Sequence, residues 1–76
     1  MSQGYSLRLR DLNRRAPSKA LGVRLGRMCI KHDVPVTVVA QRMGVTRQTV
    51  YNWFAGVTNP QPALVTLVES YLTQFD

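Results

Sequence analysis

From position 21 onward, apolar side chains recur at helical intervals. Leu21, Leu25, Met28 and Cys29, followed by His32, keep the spacing of a half-buried helix. Pro17 suits the first turn of that helix, where its missing N–H costs nothing. "DVPV" ends the segment, because Pro35 drives Val34 out of the helical region. A second, short helix is predicted from about Val36 to Met43, with Val39, Ala40 and Met43 turned inward. Its β-branched residues are weak helix formers, so packing has to hold it. Gly44-Val45-Thr46 then interrupts the pattern, and a third helix restarts to cover Gln48 to Trp53. "AGVTNPQP" is a loop by its Gly, Asn and two prolines. Leu64, Leu67, Val68, Tyr71 and Leu72 repeat at helical spacing to the end and are expected to pack inward, an outer strip remaining for a subunit contact. The fold class is all-α, with four core helices.

The segment before Pro17 is harder to place. "SLRLRDL" alternates as an edge strand would, yet Leu9 and Leu12 also suit a helical turn. Strand, short helix and irregular arm all stay open, and a fifth helix forms if this segment folds. Its charge is distinctive: Arg8, Arg10, Arg14 and Arg15 against Asp11 give +3 within residues 1–16. Residues 17–76 also reach +3, with six basic and three acidic side chains over a far longer stretch. Residues 1–16 are therefore expected to be a basic arm outside the core, and residues 17–76 the folded domain.

Composition narrows the partners. The chain has 76 residues and a net charge of +6, enough for one small domain that favours polyanions, nucleic acid first. One cysteine forms no internal disulfide, and with one histidine there is no metal-ligand cluster, so no metal or other cofactor is expected. No apolar run reaches the roughly 20 residues that span a bilayer, and the N-terminus lacks a secretory signal's apolar stretch. The expectation is a soluble cytoplasmic domain with no membrane or small-molecule partner. No nucleophile triad, acid–base pair or phosphate loop suggests an enzyme.

The break at Gly44 has a physical purpose. A helix of eight residues is only about 12 Å long, and a three-residue joint lets a second helix cross its end steeply. The joint needs a left-handed residue, which glycine reaches without the roughly 1–2 kcal/mol that a Cβ adds. Thr46 caps the restarted helix for about 1 kcal/mol. Ala40 stays small where the next helix crosses above it; Val45 fills the corner, and Val50 and Trp53 pin the restarted helix to the core.

This A-x3-G-x5-V-x2-W pattern is the helix-turn-helix signature. Residues 21–72 resemble the lambda-repressor-like, Cro/CI-type (XRE) DNA-binding domains. Leu21, Leu25, Met28, Ala40, Gly44, Val50, Trp53 and the Gly56-x3-Pro60 loop carry the resemblance. It implies that the restarted helix enters the major groove of double-stranded DNA with its N-terminal residues toward base edges. By position, Arg47, Gln48, Tyr51 and Asn52 are the base contacts. Arg47 can donate two bonds to guanine O6 and N7, and Gln48 and Asn52 can pair with adenine N6 and N7. Tyr51 suits a thymine methyl or a phosphate.

Thr46 and Thr49 stand at the edge of that face, as phosphate contacts. Thr58 and Asn59 in the "GVTNP" loop, and Thr37 at the start of the preceding helix, are expected to meet phosphates and fix register without reading sequence. For any one of these residues the plain alternative is a solvated polar surface. Arg8, Arg10, Arg14 and Arg15 either lie along phosphates, enter a minor groove, assist self-association, or form a solubilising tail. Cys29 and Trp53 are core residues; His32 is a helix-terminus partner.

The chain departs from the resemblance at three places. Val36, preceded by Pro35, stands where relatives carry a polar phosphate contact. Cys29 and Phe54 replace an Arg–Glu ion pair, an exchange often neutral in stability. The chain ends after the Leu64–Leu72 helix, where many relatives add a dimerising one. The expected function is a sequence-specific transcription regulator, a phage-type repressor acting by promoter occupancy. It would be a homodimer, formed either in solution or only on DNA, on a palindromic operator. Two rivals are an assembly protein such as a phage packaging or scaffold subunit, and a nonspecific nucleic-acid binder driven by the arm.

Overall fold

A computed structural model describes residues 5–75. Five helices follow in order: α1 Leu7–Arg15, α2 Leu21–Lys31, α3 Val36–Met43, α4 Arg47–Phe54 and α5 Pro62–Thr73. No strand occurs among the described residues, and no helix there is long and apolar enough to cross a membrane. Helix α2 is the central element, packed on α1, α4 and α5, while α3 braces α4 and α5.

The core is built on apolar positions of helical period. Leu25, Cys29, Val39, Val50, Phe54 and Val68 are wholly buried, joined by Ala40, Met43, Trp53, Tyr71 and Leu72. Two glycines of α2 let its neighbours come close. A Cβ on Gly22 would lie 2.7 Å from Trp53 Cβ, and one on Gly26 2.8 Å from Phe54 Cγ and 2.6 Å from Asn13 Nδ2. Thus α2 meets α4 and α1 almost backbone to side chain, which fixes where α4 can sit. Arg42 of α3 lies over the Tyr71 ring of α5, 5.5 Å from its centroid, a cation–π contact across the far side.

Three sequence expectations are corrected. Residues 1–16 are not an arm outside the core: on the described part, α1 is helical, and Tyr5, Leu9 and Asn13 are buried. Residues 1–4 of that arm lie outside the described residues. The i, i+4 pair Leu9 and Asn13 forms the inner face, and the arginines occupy the other positions, so high charge coexisted with a packed stripe. Ser6 caps α1 by accepting the Leu9 N–H at 3.1 Å.

Second, Pro17 does not open α2. It begins a turn closed by the Ala20 N–H on the Pro17 carbonyl at 3.2 Å, and the helix starts at Leu21. Third, Leu67 does not pack inward; it is 44% exposed on the outer strip of α5, while Tyr71 is buried as expected. His32 is exposed as the C-cap of α2, and its ring lies 5.3 Å from that of Phe75.

Candidate nucleic-acid interface

The turn between α3 and α4 sets the site. Gly44 takes φ +69°, and a Cβ there would meet nothing within 4 Å, so backbone conformation rather than space demands glycine. The Val45 N–H reaches the Ala40 carbonyl at 3.0 Å and the Gly44 N–H that of Gln41 at 3.4 Å, the double closure of a Schellman motif. The same closure ends α4, where Gly56 has φ +79° and the Val57 N–H bonds the Asn52 carbonyl at 2.9 Å. Thr46 caps α4 by accepting the Thr49 N–H at 3.2 Å, and the two hydroxyls lie 2.9 Å apart. Val50, Trp53 and Phe54 are buried, so the orientation of α4 is locked from below.

The outer face of α4 then follows by helical period. Arg47, Gln48 and Tyr51 are exposed and Asn52 is half-buried beside them. Gln48 Nε2 donates to Asn52 Oδ1 at 3.1 Å. The pair still offers the Gln48 carbonyl oxygen as acceptor and the Asn52 amide as donor, the combination that an adenine edge takes. No carboxylate occurs from residue 34 to residue 68, so nothing in α3, α4 or the following loop repels a phosphate.

Thr49, Thr58 and Asn59 come together in one cleft of about 290 Å³ between the start of α4 and the α4–α5 loop, with Gln61 beside them. The Thr58 N–H is directed at the Asn52 carbonyl at 3.3 Å, and the polar residues lining the cleft are Thr49, Thr58, Asn59 and Gln61. Thr37 is exposed on the first turn of α3, which has no side-chain cap at Pro35, and it lies apart from the residues lining that cleft.

The four N-terminal arginines divide. Arg8 lines a groove with Gln48, Tyr51 and Asn52. Arg10 and Arg14 line a different concavity, with Arg27 and Lys31 of α2. Arg14 and Arg15 both pair with Asp11, at 2.9 and 3.2 Å.

Three residues that periodicity did not mark hold α1 against this frame. Asn13, 3% exposed, donates to the Phe54 carbonyl at 2.7 Å and the Val23 carbonyl at 3.2 Å, tying α1 to the end of α4 and to α2. Arg27 donates to the carbonyls of Asn13, Arg14 and Ala16 at 3.2–3.3 Å, meeting the carbonyls at the C-terminal end of α1 with a positive charge. The Tyr5 hydroxyl donates to the Val34 carbonyl, and its ring packs 6.1 Å from that of Phe54. An isolated polar residue on an apolar stripe, Asn13 after Leu9, was the one available signal.

Burial pushes the Cys29 thiol up to about 12 from 9.0, and burial together with neighbouring Cys29 raises the Tyr5 phenol as well. Both are neutral structural groups at neutral pH. Cys29 and Phe54, at the positions of the ion pair found in relatives, are both wholly buried and apolar in kind.

A helix-turn-helix family model matches residues 27–73, which takes in the end of α2 and all of α3, α4 and α5. No curated protein and no solved structure matches the chain.

Proposed function

Because the chain belongs to the lambda-repressor-like helix-turn-helix family and so is a DNA-binding regulator, we propose that it is a sequence-specific repressor of the phage Cro/CI kind. It binds a palindromic operator as a homodimer that forms on the DNA, and blocks a promoter by occupancy in the cytoplasm of its host cell. The observation that carries this is the outer face of α4. Arg47, Gln48, Tyr51 and Asn52 share it, two of them already bonded side by side, in a carboxylate-free stretch of chain.

Arg47 reads guanine and the Gln48–Asn52 pair reads adenine, each bidentate contact worth roughly 1–3 kcal/mol of discrimination. Tyr51 takes a thymine methyl. Thr49, Thr58 and Asn59 hold one phosphate in their cleft, with the Thr46 hydroxyl beside Thr49 at its edge, and Thr37 holds another at the start of α3. Two-fold partners place their α4 helices about 34–36 Å apart, one turn of duplex.

The test is selection of bound duplexes from a random pool, read with the mass of the complex. A palindromic consensus bound by two chains is expected. A large ring without a preferred sequence would instead make the chain an assembly subunit.

A second reading has its own observation. Eight of the ten basic residues fall between Arg8 and Lys31, whereas α3 and α4 carry only Arg42 and Arg47. Backbone-dominated, nonspecific binding would draw mainly on that first group, and the selection would then return no consensus.

A further inference from the structure

We propose that α1 is a clamp on the DNA backbone, with Arg8 as its phosphate contact. This rests on α4 docking in the major groove. A groove of about 400 Å³ runs between α1 and α4, lined by Arg8, Leu12, Gln48, Tyr51, Asn52 and Val57 among others. A helix with its side chains is about 10–12 Å across, and the major groove is about 12 Å wide, so α4 alone fills it. A second helix packed on the flank of α4 has to lie over the adjoining sugar–phosphate ridge. The α1 wall of this groove therefore meets one backbone strand, while Gln48, Tyr51 and Asn52 on its α4 wall face the base edges.

The chemistry of the groove fits that strand. Leu12 and Val57 are 40% and 70% exposed, an apolar surface for deoxyribose, and Arg8 stands at the first turn of α1 with its charge available. Arg14 and Arg15 share Asp11, whereas no ion pair engages Arg8 among the described residues. Asn13 and Arg27 hold α1 in place, so the contact is preorganised and needs little ordering on binding. Helix α1 lies wholly outside residues 27–73, so the clamp is an addition to the family's reading head.

The test measures affinity against salt for a selected duplex and for a scrambled duplex of equal length, with wild type, Arg8→Ala, Arg8→Lys and Lys31→Ala. Arg8 is exposed, so its replacement leaves the core intact, which circular dichroism checks. Arg8→Ala is expected to weaken both duplexes by a similar factor and to reduce the slope of log K against log salt by about 0.9. Arg8→Lys keeps the slope, and Lys31→Ala, in the other concavity, leaves it unchanged. An unchanged slope in Arg8→Ala overturns the clamp alone. So does an equal loss in Lys31→Ala, which would mark long-range charge rather than contact. A wild type that does not prefer the selected duplex removes the α4 reading and the clamp with it.

Discussion

Gly44 and Gly22 show two different reasons for a missing Cβ. At Gly44 the space is open and only φ is unusual, so Gly44→Ala should cost about 1–2 kcal/mol in urea unfolding with little structural change. At Gly22 the backbone is ordinary but Trp53 Cβ and its carbonyl stand 2.7 and 2.8 Å from the added carbon. Gly22→Ala must push α4 away from α2, so it should shift amide resonances across the whole of α4 and cost more. The first glycine was legible from its place between two helical patterns. The second was not, because a close approach between helices leaves no periodic trace.

Asn13 was missed for a related reason. Periodicity assigns a polar residue to the surface unless its bonding partners, here the carbonyls of Phe54 and Val23, are known. Asn13→Ala should cost about 1–3 kcal/mol by removing the buried amide's bonds to both carbonyls. Tyr5 and Cys29 give an alkaline signature. Their folded-state pKa values are raised above the unfolded ones, so the folded form holds its protons more tightly. The stability this protects is fully present below about pH 9 and is lost as pH rises toward about 12 for Cys29. Urea midpoints should therefore be flat near neutrality and fall above about pH 9. Cys29→Ala should lessen that fall; an equal fall in the variant would exclude the thiol as a source.

Among the elements, α3, the turn and α4 were read from the chain with their bounds nearly right, and α1 was not. The turn is dictated by local chemistry: Gly44 for φ, Thr46 for the cap, Val50 and Trp53 for anchorage. Each of these acts within a few residues of its own position. Helix α1 gains its place from partners far along the chain, Val34, Phe54 and Arg27, which no local pattern displays. The outer face of α4 was legible, since exposed positions follow once the buried ones are known. That Thr49, Thr58 and Asn59 share one cleft is a tertiary fact, as is the neighbourhood of Arg8 and Asn52.

The packing of α1 has a practical consequence. Removing residues 1–16 takes Tyr5 and Leu9 out of the core, each side chain worth roughly 1.5–3 kcal/mol of burial. Truncation should therefore lower the thermal midpoint markedly and broaden the transition. A truncated chain as stable as the full one would show that α1 is dispensable to the fold.

The molecule as a whole carries most of its positive charge between Arg8 and Lys31, ahead of the helix proposed to confer selectivity. On the proposed reading Arg8 adds affinity for any duplex, and α4 chooses among duplexes. Arg47→Ala and Gln48→Ala should each reduce discrimination by about 1–3 kcal/mol in competition binding while the unfolding midpoint stays put. Affinity for every duplex should fall steeply with salt, so salt dependence alone does not separate a reader from a general binder.

The most direct measurement is a map of backbone amide shifts as a selected duplex is titrated into labelled protein. The largest changes should fall on residues 46–52, with a second group at Thr58 and Asn59, while the outer strip of α5 around Leu67 stays still or answers only to pairing of two chains. Perturbations centred on any other surface, with α4 silent, would contradict the assignment of α4 as the helix that reads DNA.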